Sequence, residues 1–255
     1  MKVGFAGSGN MAAAMARGWV LAGGPDEMLF TDSGSGRAQK LAGETGGEAL
    51  ANLRTLAAAS DMIVLAVKPA ALATAAESLV RFRGPVVSVL GATTLRDLQA
   101  AMPDAALLRT MPNVGVEIAR GTICHAPPDD PEALAPALEL LGRISLLVEL
   151  PEGQLDAATA VMGCSPAWIT VAAEAVAKAG VDAGLNPEVS KQLIARTTAL
   201  TGELLLRHEA SEIRRTVASP GGSTEAGLDS LAADDAARAY ANAVQAALDR
   251  MAGKR

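Results

Sequence analysis

The chain has 255 residues, enough for one large or two modest domains with an ample core. Half of them are hydrophobic, the net charge is -6, and three Phe, two Trp and one Tyr without a basic run leave no charged or stacking surface for nucleic acid. Two distant cysteines, Cys124 and Cys164, make no disulfide framework and fit a reducing compartment, and two histidines without ligand spacing argue against a metal centre.

The N-terminus lacks the pattern of a signal peptide, and no uninterrupted apolar run approaches the ~18 residues of a membrane span. A soluble cytoplasmic protein with no membrane partner is expected. The chain opens on Val3-Gly4-Phe5-Ala6, a short apolar strand, followed by Gly7-Ser8-Gly9-Asn10-Met11-Ala12 and then by helix formers. In such a strand–turn–helix the first glycine permits the tight turn and the second lets a pyrophosphate approach the backbone. The small third residue lets the helix pack on the strand. Phosphates then meet the free N–H groups of the helix start, which makes Gly7, Ser8, Gly9, Asn10 and Met11 the first candidate cofactor residues.

Short apolar runs alternate with helical stretches through the first 150 residues, which predicts βαβ units and a parallel sheet. Strands are expected at 28–30, 62–67, 85–90, 107–110, 121–125 and 145–148, and helices at 53–59, 95–102 (capped by Thr94) and 131–141. The run Met62 to Val67 is unbroken, as in a central strand covered on both faces, and it stops at Lys68-Pro69.

Strand runs end at Pro151, and alanine-rich helical periodicity takes over. Helices are expected at 157–162, 167–183, 187–207 and 234–251, with Gly184 as a C-cap, Asn186-Pro187 as a helix start, and Asp234 and Asp235 opening the last. The predicted fold class is thus α/β: a Rossmann-like dinucleotide-binding domain over 1–150 and an all-α domain over 151–255. The helical part is short of aromatic bulk, so its apolar faces call for a second subunit and a homodimer is expected.

Ligands in open α/β sheets bind beyond the carboxyl ends of the strands. After the second strand come Asp32, Ser33, Ser35 and Arg37. An acid there suits a ribose 2′-hydroxyl, whereas hydroxyls and an arginine suit a 2′-phosphate, and this mixture leaves both cofactors open. Ala66, Val67, Lys68 and Pro69 follow the central strand, where Lys68 either meets ribose or phosphate or is simply solvated. Asn52 and Asn113 can bond a carboxamide or ribose, or serve as caps. In the helical half, Ser219-Pro220-Gly221-Gly222-Ser223-Thr224 halts a helix and starts another. Successive exposed N–H groups flanked by hydroxyls form either a carboxylate nest or an ordinary interhelix loop.

Taken together, these residues resemble the pyrroline-5-carboxylate reductase family. The opening Gly4-Phe5-Ala6-Gly7-Ser8-Gly9-Asn10-Met11 is similar to its G-F-I-G-x-G-N-M stretch. Ala66-Val67-Lys68-Pro69, Arg109-Thr110-Met111-Pro112-Asn113 and Ser219 to Thr224 match its A-V-K-P, R-x-M-P-N and S-P-G-G-T-T. Gly163 to Trp168 is similar to its G-S-G-P-A-Y. The resemblance implies hydride transfer from NADPH, with NADH as the other option, to the C=N carbon of L-1-pyrroline-5-carboxylate, a small cyclic imine acid, giving L-proline. It also implies that Gly221, Gly222, Ser223 and Thr224 hold the substrate, with Thr224 and Ser219 serving catalysis, in a homodimer or higher homo-oligomer.

A cyclic imine is basic enough to arrive protonated, so a site poor in strong acids suffices, whereas a ketone demands a general acid. Departures from the family pattern gather on the substrate side: Trp168 for Tyr, Cys164-Ser165 for Ser-Gly, an altered Val89 to Thr93, Arg196-Thr197 for Gln-Thr, and Glu209-Ala210-Ser211 for His-Pro-Gly. They leave open another cyclic imine, or a module that binds NADPH without turnover. A 3-hydroxyacid dehydrogenase is disfavoured, because Ile169 and Ala173 stand where that family expects Lys and Asn.

Overall fold

A computed structural model describes residues 1–253, so Lys254 and Arg255, the end of the expected helical domain, lie outside the described residues. The strands form one eight-stranded sheet of order β3-β2-β1-β4-β5-β6-β7-β8. In chain order they are β1 (Lys2–Ala6), β2 (Glu27–Thr31), β3 (Glu48–Ala49), β4 (Met62–Leu65), β5 (Pro85–Ser88), β6 (Ala106–Pro112), β7 (Gly121–His125) and β8 (Ser145–Glu149). Between them run α1 (Asn10–Ala22), α2 (Arg37–Thr45), α3 (Leu53–Ala59), α4 (Leu72–Leu79), α5 (Leu95–Ala101) and α6 (Pro131–Gly142). The reversal of strand order on either side of β1 is the Rossmann arrangement.

The expected all-parallel sheet needs one correction. β1 to β6 are parallel, but β7 pairs antiparallel with β6, and β8 follows β7. Only a one-turn 3₁₀ segment, Val114–Ile118, separates β6 from β7. A parallel return needs a crossover of a dozen residues or more, so the short connection forces the reversal.

Period-two alternation explains the two covered faces. Met62 and Val64 of β4 join Phe5, Phe30, Met15 and Trp19 in a cluster under α1, α2 and α6. Ile63 and Leu65 point the other way, into a cluster with Leu56, Leu79 and Leu98 beneath α3, α4 and α5. The Trp19 indole N–H donates to the Leu140 carbonyl at 2.9 Å and ties α1 to α6. Thr94 caps α5 in a full capping box with Asp97, as its position predicts. The central strand stops at Leu65, and Ala66 and Val67 belong to the loop that follows it.

Two compact units divide the described residues, Met1–Gly163 with 250–253, and Cys164–Asp249. Past Pro151 the first unit continues because Leu155 of α7 (Leu155–Ala158) packs into a third cluster with Met111, Cys124 and Ala126. A π-helical turn, Thr159–Cys164, follows it.

The second unit holds α8 (Ser165–Asp182), α9 (Pro187–Leu205), α10 (Ala210–Val217) and α11 (Ser223–Ala233), with α12 (Ala236–Met251) running from it. Two expectations change here. Glycine and proline before Ser223 do not end α9, which stops at Leu205; they end a separate short helix, α10. Asp234 caps the end of α11 instead of opening α12, whereas Asp235, with a left-handed φ of 53°, stands at the start of α12, its carbonyl accepting from the Ala239 N–H at 3.3 Å. The stretch Glu152–Asp182 is long and apolar enough, by length and composition only, to cross a membrane, although charged residues interrupt it and no unbroken apolar run of that length occurs. Small residues spread its hydropathy over many positions, which a search for unbroken apolar runs misses. Asn186, as predicted, caps α9 by accepting from the Glu188 and Val189 N–H groups at 3.0 and 3.3 Å.

Candidate active site

Because β1 to β6 are parallel, their carboxyl ends share one edge of the sheet. Gly7 to Met11 follow β1, Ser33 follows β2, Asn52 follows β3, Ala66 to Pro69 follow β4 and Asn113 follows β6. Every predicted cofactor residue therefore lies along that edge, where open α/β sheets take ligands.

At its centre Gly7 adopts φ +102°, and a Cβ there would lie 2.6 Å from the Ala66 carbonyl, so the β1 and β4 loops approach as only glycine allows. A Cβ on Gly9 would meet nothing within 4 Å. Gly9 is the N-cap of α1 and supplies no side-chain cap, which leaves the first amides of a 13-residue helix beside open space. That cradle fits a dinucleotide pyrophosphate. The Ser8 hydroxyl turns inward and donates to the Thr31 carbonyl at 2.9 Å, so Ser8 faces the loop interior with its side chain and offers a ligand only its backbone.

The end of β2 carries the feature the sequence left ambiguous. Asp32 Oδ1 accepts from the Gly34 and Ser35 N–H groups at 2.7 and 3.1 Å. Its Oδ2 accepts from the Ala38 N–H at 2.8 Å and the Ser35 hydroxyl at 3.0 Å. The Ala38 amide foremost, with the Gly34 and Ser35 donors, holds the Asp32 carboxyl below the usual carboxylate range. Both oxygens being engaged, Asp32 shapes its loop, while Ser33 and Arg37 remain exposed beside it.

Asn52 caps α3, accepting from the Thr55 N–H at 3.0 Å, and stays exposed. Lys68 is exposed at the start of a 3₁₀ turn, Pro69–Ala71, whose Ala71 N–H donates to the Lys68 carbonyl at 2.8 Å. Asn113 is half-buried and turned to the protein. Its Oδ1 accepts from the Gly115 and Thr122 N–H groups, each at 3.1 Å, and its Nδ2 donates to the Met162 carbonyl at 3.3 Å.

Arg109, four residues earlier on β6, went unnoticed as more than a motif letter. It is 4% exposed; Nη1 bonds Glu152 at 2.9 Å and Nη2 lies 3.5 Å from Asp156, while Nε has no partner among the described residues. Glu152 Oε1 also accepts from the Leu95 N–H at the start of α5. Cys124 is buried, and burial pushes its thiol pKa up, away from a nucleophile's range.

In the helical unit, the loop Ala218 to Gly222 joins α10 to α11. Gly221 adopts φ +73°, and the Gly222 N–H closes the turn on the Ser219 carbonyl at 2.9 Å. Gly222 is the N-cap of α11 without a side-chain cap, so the Ser223 and Thr224 amides have no intrahelical acceptor. Ser219, Gly221, Ser223 and Thr224 are exposed. The Gly221 N–H donates to a carboxylate, that of Glu225, at 2.7 Å. Glu225 was not foreseen; its place at the third position of the helix, where carboxylates reach back to free amides, was the available signal.

Comparison with known proteins agrees with both halves. Residues 152–253 match the pyrroline-5-carboxylate reductase dimerisation family, and residues 2–91 match the family described as NADP oxidoreductase, coenzyme F420-dependent. A pyrroline-5-carboxylate reductase of Synechocystis is 35% identical over 75% of this chain and 74% of its own. That of Thermus thermophilus is 31% identical over 98% of this chain and 97% of its own. Among solved structures, 1-pyrroline-5-carboxylate reductase from Streptococcus pyogenes superposes with a TM-score of 0.89 at 26% identity, covering 98% of each chain.

Proposed function

The chain belongs to the pyrroline-5-carboxylate reductase family, and from that membership we propose how its residues divide the work. It reduces the C=N bond of L-1-pyrroline-5-carboxylate to L-proline with NAD(P)H. Bound at the sheet edge, the reduced nicotinamide supplies a hydride; the rest is positioning. The amides of Gly9, Asn10 and Met11 at the start of α1 hold the pyrophosphate. Gly7 and Ser8 shape that turn, and Ala66 to Pro69 line the adjoining one, with Asn52 and Lys68 toward the ribose and Asn113 at the far end of the row.

NADPH is the preferred reductant. An NADH site needs a free carboxylate for the ribose 2′-hydroxyl, and Asp32 has none to offer. Ser33 and Arg37 stand exposed for a 2′-phosphate.

The imine acid is held in the helical half. Amides of Ser223 and Thr224, framed by Gly221 and Gly222, take its carboxylate, Ser219 borders it, and the Thr224 hydroxyl bonds the ring nitrogen. The observation that supports this reading is the 2.7 Å bond from the Gly221 N–H to Glu225: the loop is already a carboxylate receptor. The only described histidine of this unit, His208, lies 3.5 Å from Glu212. A substrate that arrives as the iminium needs no stronger acid.

The enzyme works as a homodimer in the cytoplasm. The dimerisation match over 152–253 and the free thiols of Cys124 and Cys164 support these two statements.

The test is oxidation of L-proline, pipecolate and pyrrolidine with NADP or NAD, followed by reduction of the best imine. L-proline with NADP is expected to lead; failure to turn over either proline or pyrroline-5-carboxylate would sink the reading. Thr224→Ala is expected to lower kcat about tenfold, the worth of one hydrogen bond to a charged group, with NADPH affinity nearly unchanged.

A further inference from the structure

We propose that Asn113 is a positioning residue for the reaction: it pins the π-helical turn Thr159–Cys164 to the ligand edge of the sheet by capping a carbonyl that Pro166 leaves without its α-helical donor. In a continuous α-helix the Met162 carbonyl accepts from the N–H of residue 166. Residue 166 is proline and has no N–H, so the α-helical donor to that carbonyl is missing. The carbonyl accepts from Asn113 Nδ2 at 3.3 Å in a part-buried setting.

The opposite end of the same amide fixes Asn113 itself. Its Oδ1 accepts from the Gly115 and Thr122 N–H groups, which locks the connection from β6 to β7. Asn113 thus joins two irregular backbone pieces, the loop at the carboxyl end of β6 and the π-turn. Either alone would leave polar groups unmet. The side chain of Met162 adds a second anchor by packing on the cluster of Met111, Cys124 and Leu155. π-Turns inside helices cost hydrogen-bond geometry and recur at functional sites, and this one opens at the edge where the nicotinamide end of a dinucleotide belongs. Aspartate in place of Asn113 would keep both accepted bonds and turn an oxygen toward the Met162 carbonyl.

This inference rests on the reductase reading only for what is assayed. Wild type, Asn113→Asp, Pro166→Ala and the double variant are compared for kcat, imine KM, NADPH Kd by fluorescence titration, and Tm. Asn113→Asp is expected to lower kcat about tenfold while NADPH Kd, set mainly by the pyrophosphate and ribose, moves less than about twofold. Pro166→Ala supplies the missing N–H and is expected to behave as wild type. In its background the Asn113→Asp loss of kcat should shrink to about threefold or less, a coupling that only neighbouring groups show.

Equal losses in both backgrounds, or no loss in Asn113→Asp, would overturn the proposal. If Asn113→Asp does not fold, Asn113→Ser, too short to reach Met162, carries the same comparison. If the wild type turns over neither proline nor the imine, the reaction assignment falls, and the same four-way cycle read in Tm still decides whether Asn113 and Pro166 are coupled.

Discussion

Asp32 is one half of the mixed signal after β2 that leaves both cofactors open, and its contacts give it a structural role. An acid at the end of β2 is the usual mark of a ribose 2′-hydroxyl site, yet here four donors surround it. Its folded pKa lies below the ordinary value near ~3.9, so the unfolded chain takes up the proton first. The stability it confers is therefore complete above about pH 4 and is lost as pH falls through the depressed folded value. Asp32→Asn is expected to cost about 1 kcal/mol at pH 7, by urea unfolding, and the gap from wild type should close below about pH 4. A gap that persists unchanged at low pH would show that the carboxylate charge is not what the loop uses. Sequence reading could not see this, because Gly34, Ser35 and Ala38 become donors only once the backbone has turned around the acid.

At the scale of elements, β6 and the segment after β8 are fastened by two polar ties, Arg109 to Glu152 and Asp156, and Asn113 to Met162. The two ends of the ion pair are not equivalent. The Arg109 side chain is 5% exposed and that of Glu152 is 34% exposed. Removing Glu152 leaves a buried guanidinium with only the longer 3.5 Å contact to Asp156 and an Nε without a partner among the described residues, whereas removing the base leaves a carboxylate that water can reach. Glu152→Ala is accordingly expected to destabilise the protein by about 2 kcal/mol more than Arg109→Met, read from urea midpoints at constant slope. The reverse order would refute this account of the pair.

Periodicity made most of these elements legible. The helix 53–59 and the strand 121–125 fall where expected, because Asn52 marks the start of the one and Gly121 the start of the other. What stayed hidden depends on partners distant in sequence or on too short a pattern: β3, with two residues, the separate α10, and the turn of β7 against β6. The site was legible in the same measure. The row of strand ends follows from the alternation of runs, while Arg109, Glu152 and Glu225 acquire roles only through contacts.

The molecule as a whole joins a well-filled α/β unit to a helical one that lacks a core of its own. Among described residues of Cys164–Asp249 only Ser190 is buried, while Ile169, Val171, Val176, Val189, Leu193 and Leu200 are among the apolar side chains left exposed. Such an area of exposed aliphatic surface is untypical of a monomer, and it accounts for Glu152–Asp182 having the composition of a membrane span. On the proposed homodimer, Leu200→Glu is expected to shift the protein from dimer to monomer by light scattering and to lower Tm; an unchanged mass would place Leu200 outside the interface.

The proposed homodimer, by completing the interior of each helical domain with a second copy, makes folding include a second-order step. Active enzyme then accumulates with the square of chain concentration while chains are scarce, and refolding slows on dilution although nothing within each chain has changed. Midpoints of unfolding rise with protein concentration for the same reason. In the proposed homodimer the five helices α8 to α12 of one chain are half of a structure, and the rate at which chains meet governs how fast the other half appears.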